Sequence, residues 1–489
     1  MPSLNRRRLL QMSAGLSLAS ACPAWAQSRS DDWSGDVAIL REVWETMHPG
    51  LYRYSTPAEI TTRLDALAET WRAPGSFRER FLALTRVTAS IRCGHTYPSP
   101  YNGDDAMVAA MYPARSLVPF RFRWIDGRMV VTEDHTTSGV LPRGTVVTAV
   151  NGVATEMLLK GLVPLARADG GNDAKRINLM EVRGEGRFET FDIHLPLILP
   201  LKDEAAFTLA DGRIVRAPLL PLAERQSRLA PSASPTGDAN PWALEALPDG
   251  VRRLTMPSWA LFNSTFAWEA WLGETMDALS SERARGLIID LRGNEGGLDC
   301  GNIILSRLID RDLPVSRNQR WTRYRSAPAS VRPYLHTWDR SFLDWGDQAQ
   351  PSTERPGFYQ LTRYDDDAEG TVIRPAGTRF TGPVAVLCDA SNSSATFGFA
   401  QAVQQSGAAT LIGQPTGGNR RGINGGAFFF LKLPASGIEI DLPLIASFPD
   451  TPQPDAAIQP DVLVQTTADD IASGRDPQMA AATSLVMER

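Results

Sequence analysis

Between positions 33 and 92 the apolar residues recur at the three-and-four spacing of an α-helix. Val37, Leu40, Trp44 and Met47 share one face, as do Ile60, Leu64, Leu67 and Trp71, and then Phe81, Leu84, Val87 and Ile91. Thr56-Pro57-Ala58-Glu59 and Ser76-Phe77-Arg78-Glu79 precede the second and third runs as capping boxes, the first with proline at the opening helical position. The third helix should stop near Cys93-Gly94, where glycine offers a left-handed cap. His95 then falls in the loop just beyond.

From about 105 to 222 the period changes to two. Phe120, Phe122 and Trp124 alternate with arginines, and Asp126-Gly127 reads as a hairpin turn into Met129-Val130-Val131. Thr145 to Val150 followed by Asn151-Gly152, and the later Asp211-Gly212, repeat the pattern. The stretch 231–241, made of Pro, Ser, Thr, Gly, Asp and Asn with alanines, reads as a linker. Beyond it short apolar strands (Val251 to Met256, Leu287 to Asp290, Val384 to Leu387, Thr410 to Ile412) alternate with helical patterns (Phe266 to Leu279, Ile303 to Ile309, Ser394 to Gln405). Such alternation predicts an α/β core with parallel strands. Residues 316–380 interrupt it with an aromatic-rich insertion holding Trp321, Tyr324, Tyr334, Trp338 and Trp345.

The chain has 489 residues, a net charge of −5 and 43% hydrophobic residues, which excludes a disordered chain and argues against a nucleic-acid partner. Asn5-Arg6-Arg7-Arg8-Leu9-Leu10, a short apolar run and Ala24-Trp25-Ala26 form a twin-arginine export signal over residues 1–26, so a periplasmic or secreted protein is expected, with no membrane span in the mature chain. Cys22 follows Ala19-Ser20-Ala21, which lacks the leucine of a lipoprotein box, so lipid anchoring is disfavoured. No Cys/His pattern suggests a metal. The nitrogen bases are few: five histidines and the four lysines Lys160, Lys175, Lys202 and Lys432.

Two strand-turn-helix segments could carry chemistry. In the first, glycines directly follow a buried strand, Leu287-Ile-Ile-Asp-Leu-Arg-Gly-Asn-Glu-Gly-Gly297, and free backbone N–H groups to face an anion. In the second, Val384-Ala-Val-Leu-Cys-Asp-Ala-Ser-Asn-Ser-Ser394, a serine stands where a helix begins. Its hydroxyl could attack an electrophile beside the positive end of the helix, or it could simply cap that helix.

These segments resemble C-terminal processing proteases and tricorn-type serine peptidases. Asp290-Leu-Arg-Gly-Asn-Glu-Gly-Gly297 is similar to the family signature D-L-R-x-N-x-G-G. The stretch from Ser394 to Gly413-Gln-Pro-Thr416-Gly-Gly418 resembles the family's run from nucleophile to G-x-x-T-x-G, and Pro460-Asp461-Val462 resembles its closing strand. The resemblance implies a mixed α/β fold, with a mostly parallel sheet flanked by helices. An N-terminal helical cap and a small β-rich, PDZ-like domain accompany it, with residues 139–152 resembling a carboxylate-binding loop. Together with the patterns along the chain, this gives the expected domains 27–104 (cap), 105–230 (β-rich, PDZ-like), 231–241 (linker) and 242–489 (core, with the insertion 316–380).

By the same resemblance Ser394 is the nucleophile, and the N–H groups of Gly297 and Ala395 are the oxyanion donors. Peptides or proteins are the substrates, and no cofactor or metal is required. The Ser/Lys dyad of the bacterial members is not supported, because Asn419 stands where their lysine would. Cys93-Gly94-His95-Thr96 is similar to the D-G-H-T loop of the tricorn group and implies His95 as general base. The third member would be a late acid, Asp455 in preference to Asp450. The alternative is a non-catalytic periplasmic binding protein of the same fold for peptide tails or apolar ligands.

Overall fold

A computed structural model describes residues 32–488 except 101–102, 104, 113–114, 185–187, 230–237, 263, 316–319 and 364–371. The export signal and most of the 231–241 stretch lie outside the described residues. The chain divides into two compact units, one of residues 1–111, 318–366 and 423–448, the other of residues 112–317, 367–422 and 449–489.

The first unit opens with the helices Ser34–Met47, Pro57–Arg72 and Phe77–Ser90. Both capping boxes are present, and the apolar faces read from the sequence are buried, Trp44 and Trp71 completely. Each fully buried large apolar side chain stabilises the fold by about 1.5–3 kcal/mol. The third helix ends differently from expectation. It stops at Ser90, and Arg92, not Gly94, takes the left-handed conformation (φ 56°).

This unit also holds an antiparallel sheet ordered Leu335–His336, Asn424–Lys432, Glu439–Ser447, Arg320–Thr322, Tyr359–Leu361, Ala349–Pro351, with Pro98–Ser99 also pairing Glu439–Ser447. Much of the aromatic-rich segment thus packs with the N-terminal helices and a late hairpin. The buried Asp36 carboxylate accepts from the Ala435 and Ser436 amides at 2.9 and 2.7 Å and ties that hairpin to the first helix.

In the second unit a six-stranded sheet runs Val462–Leu463, Thr410–Gly413, Val384–Cys388, Gly286–Asp290, Val251–Thr255, Ala243–Ala246, all parallel except the last strand. Gly286–Asp290 and Val384–Cys388 are buried at every position, as strands covered on both faces must be. The helices Trp268–Ser281, Cys300–Ser306 and Ala395–Ser406 pack on one face and Pro477–Glu488 on the other.

A second, antiparallel sheet holds Phe120–Ile125, Arg128–Asp134, Val146–Val150, Glu204–Leu209 and Ile214–Pro218, with tight turns at Asp126-Gly127 and Asn151-Gly152 whose residues all have positive φ. Helices the alternation did not announce, Thr155–Leu162, Asp173–Leu179 and Thr190–Ile198, lie between its strands. The 139–152 loop is packed against a late helix, Ala468–Ser473: a methyl group on Gly144 would lie 2.4 Å from Ala472 Cβ, and Arg143 Nε donates to Ile471 O at 2.6 Å.

Candidate active site

The two glycine- and serine-bearing turns follow adjacent parallel strands, with Asp290 opposite Leu387, and they interlock. Ser394 precedes the helix Ala395–Ser406 with φ 52° and ψ −124°, a backbone conformation that favours glycine. Its side chain makes no capping bond. Gly296 (φ 98°) lies directly against it: a methyl group there would sit 2.6 Å from Ser393 O, 2.9 Å from Ala395 N and 3.0 Å from Ser394 Cβ. Gly297 (φ 144°) is equally committed, since a methyl group there would meet Trp259 O at 2.1 Å. Only glycine lets the two turns approach this closely.

Buried amides hold the turns in register. Asn294 Nδ2 donates to Met256 O (2.7 Å) and its Oδ1 accepts from Gly296 N (2.9 Å). Asn392 Nδ2 donates to Leu291 O (2.6 Å) and Asn294 O (3.0 Å), and Thr396 Oγ1 reaches Asn294 O at 3.0 Å. Asp389 is buried, and its carboxylate accepts from the Gly293 and Ser391 amides. Burial pushes that carboxyl up, but Arg183 and these amides outweigh it and hold Asp389 below the usual carboxylate range. It therefore stays ionised and keeps both loops anchored.

Sequence reading missed the residues that brace this assembly from the β-rich region. Lys175 is buried; its Nζ donates to Glu295 Oε1 in the signature turn (2.5 Å) and to Ser391 O in the serine loop (3.3 Å). Arg183 donates to Ser391 Oγ (3.0 Å), and Asn172 Nδ2 to Thr416 O and Gly418 O (2.8 Å each). The scarcity of lysine was the only available signal, and nothing local distinguishes Lys175. Replacing Lys175 by methionine keeps the stem but removes the bond joining the turns. Misplacing reacting groups by about 1 Å costs up to about 100-fold. Lys175→Met is therefore expected to lower kcat about 10–100-fold at nearly constant KM, checked by steady-state kinetics.

His95 belongs to the first unit, half-buried in the loop between the third helix and Pro98–Ser99. Its ring lies 5.6 Å from that of Phe428, and a methyl group on Gly425 would be 3.9 Å from its Cε1. Two ties fix the loop. Cys93 Sγ accepts from Asn424 Nδ2 at 3.2 Å, and Thr96 Oγ1 meets His48 Nε2 at 2.8 Å, with both residues of that pair fully buried. The Gly50 amide donates to His48 Nδ1 at 3.1 Å, so the ring proton sits on Nε2 and points at Thr96.

Burial, reinforced by the Arg53 and Arg323 cations, pushes the His48 imidazole down to about 3. The unfolded chain takes up this proton near pH 6.5 and the folded chain only near 3, so stability is complete above pH 6.5 and is lost as pH falls towards 3. The buried His194 of the second unit has the same sign. Each histidine contributes at most about 1.4 kcal/mol per pH unit. Urea midpoints are expected to fall between pH 7.5 and 5, and to fall less in His48→Asn.

The late carboxylates occupy distinct settings. Asp455 lies in the same unit as Ser394, and its Oδ1 accepts from Gly171 N (2.8 Å) and Asn419 Nδ2 (2.7 Å). Asn419 also donates to Asp169 O at 3.2 Å; this amide acts as a buried strut and offers no basic nitrogen. Asp450 is exposed. Asp461 accepts from Leu411 N (2.8 Å) and Gln404 (3.1 Å) and so secures the edge of the parallel sheet. Lys432 is exposed at a strand end opposite Glu439.

Residues 253–427, which contain both turns, match peptidase family S41. No curated protein matches the chain. Among solved structures, a CPAF mutant is 14% identical with a TM-score of 0.60, over 94% of this chain and 97% of that one. Mature CPAF complexed with lactacystin is 15% identical with a TM-score of 0.58, over 90% of this chain and 95% of that one. At such identities these neighbours establish the fold. The sequence match, which spans the signature turn, Ser394 and the turn at Thr416, makes this part of the chain similar to peptidase family S41 and supports a serine-type peptidase.

Proposed function

We propose that the chain is an exported peptidase that cleaves peptide bonds through an acyl-enzyme on Ser394, with His95 as general base and Asp455 as the acid that orients it. The Ser394 hydroxyl attacks the scissile carbonyl carbon as the imidazole takes its proton. The oxyanion is received by the N–H groups of Gly297 and Ala395. Collapse expels the amine, which takes the proton back from the imidazolium, and water repeats the sequence to release the acid product.

One observation carries this reading. Ser394 is held in a conformation costly for a non-glycine residue, yet its hydroxyl does not cap its own helix. A serine kept only for capping would relax and make that bond. Export rests on the twin-arginine pattern at residues 5–10. Incubating the protein with a peptide library and sequencing the products tests the proposal. Cleavage that disappears in the Ser394 variant supports it; an intact library refutes it.

A further inference from the structure

The His95 loop borders an aromatic surface that the proposed chemistry does not use. Phe428 and Phe430 are two residues apart on the strand Asn424–Lys432 and so project from one face of it. Trp338 lies over both, its ring 6.0 Å from each, and Phe342 packs edge-on against Trp338 at 5.6 Å. Trp338 is nevertheless 41% exposed, one of the few large apolar side chains so exposed among the described residues. The shelf is continuous with the imidazole, because Phe428 stands 5.6 Å from His95. A register shift between Gly425 and Phe428 sets the strand's course here, and a methyl group on Gly425 would come within 3.9 Å of the imidazole Cε1.

We propose that the Trp338–Phe428 shelf binds an apolar or aromatic side chain of the substrate close to the bond that is cut, and so sets the enzyme's sequence preference. This rests on His95 being the general base. A base must come within about 3 Å of the proton it abstracts. Rings stacked beside it then lie within two or three residues of the scissile bond, since successive Cα atoms are about 3.8 Å apart. Rings of this kind gain most from an apolar or aromatic partner, and they offer a carboxylate or a small hydroxyl nothing in return for lost water.

The test is kcat/KM on a peptide series carrying Phe, Leu, Ser or Asp at each of the three positions on either side of the cleaved bond, for the wild type, Trp338→Ala and Trp338→Phe. Discrimination by an apolar pocket is worth about 10–200-fold. At one position the wild type is expected to prefer Phe and Leu over Ser by at least about tenfold. Trp338→Ala should lose that preference by slowing only the apolar peptides, and Trp338→Phe should largely restore it, with fluorophosphonate labelling of Ser394 unchanged throughout. No apolar preference at any position, or equal slowing of every peptide, overturns the shelf while leaving the nucleophile in place. Full labelling and turnover in His95→Ala overturns the base, and the shelf with it.

Discussion

Ser394→Ala is expected to abolish peptide cleavage, lowering kcat by about 10⁶-fold, which is the scale for removing a serine nucleophile whose partners act as a unit. The fold should survive, because the hydroxyl caps nothing and the surrounding turns are fixed by Asn294, Asn392 and Asp389. The backbone supplies a second, independent readout. A non-glycine residue at φ 52°, ψ −124° carries strain on the order of 1–3 kcal/mol. Ser394→Gly should therefore be equally inactive but more stable than Ser394→Ala, by about 1 kcal/mol. Urea midpoints of the two inactive variants decide this. Equal midpoints would mean that the position is unstrained and that the main support for the nucleophile is lost.

His95→Ala is the second large effect. If the imidazole takes and returns the serine proton, kcat should fall about 10⁴–10⁶-fold. The comparison that matters is Lys432→Ala, the one lysine downstream of Ser394. Lys432 is exposed at a strand end, and its loss should change kcat/KM less than about threefold, as expected for a surface substitution worth less than about 0.5 kcal/mol. A folded but inactive Lys432→Ala, beside an active His95→Ala, would restore a Ser/Lys mechanism. Lys175 is kept separate from both, because its Nζ donates to Glu295 and to the Ser391 carbonyl and it is assigned a positioning role.

What the sequence could tell followed the range of the interactions involved. Capping boxes join residues three apart, and those at Thr56 and Ser76 formed as written. Strands covered on both faces need unbroken apolar runs, which made Leu287–Asp290 and Val384–Leu387 plain. Hairpin turns need positive φ, which Asp126-Gly127 and Asn151-Gly152 supply.

Failures came where distant packing overrode local preference. Thr190–Ile198 is helical despite Pro196 in its interior, because Phe191, His194 and Leu195 are buried there. Arg92 takes the left-handed turn that Gly94 was expected to take. The braces within each unit are further beyond local pattern: Lys175 meets Glu295 across 120 residues, and Cys93 meets Asn424 across 331. The sequence pattern therefore marked the two turns and the glycines where they meet, while the side chains that fix their geometry come from contacts no window along the chain contains.

The proposed mechanism depends on the chemistry of one hydroxyl, that of Ser394. The most direct measurement is the mass of the purified protein after exposure to a fluorophosphonate, with the adduct mapped by peptide sequencing. One adduct per chain is expected, on Ser394, absent in Ser394→Ala and formed far more slowly in His95→Ala. An unmodified chain, or an adduct that persists in Ser394→Ala, would contradict the mechanism.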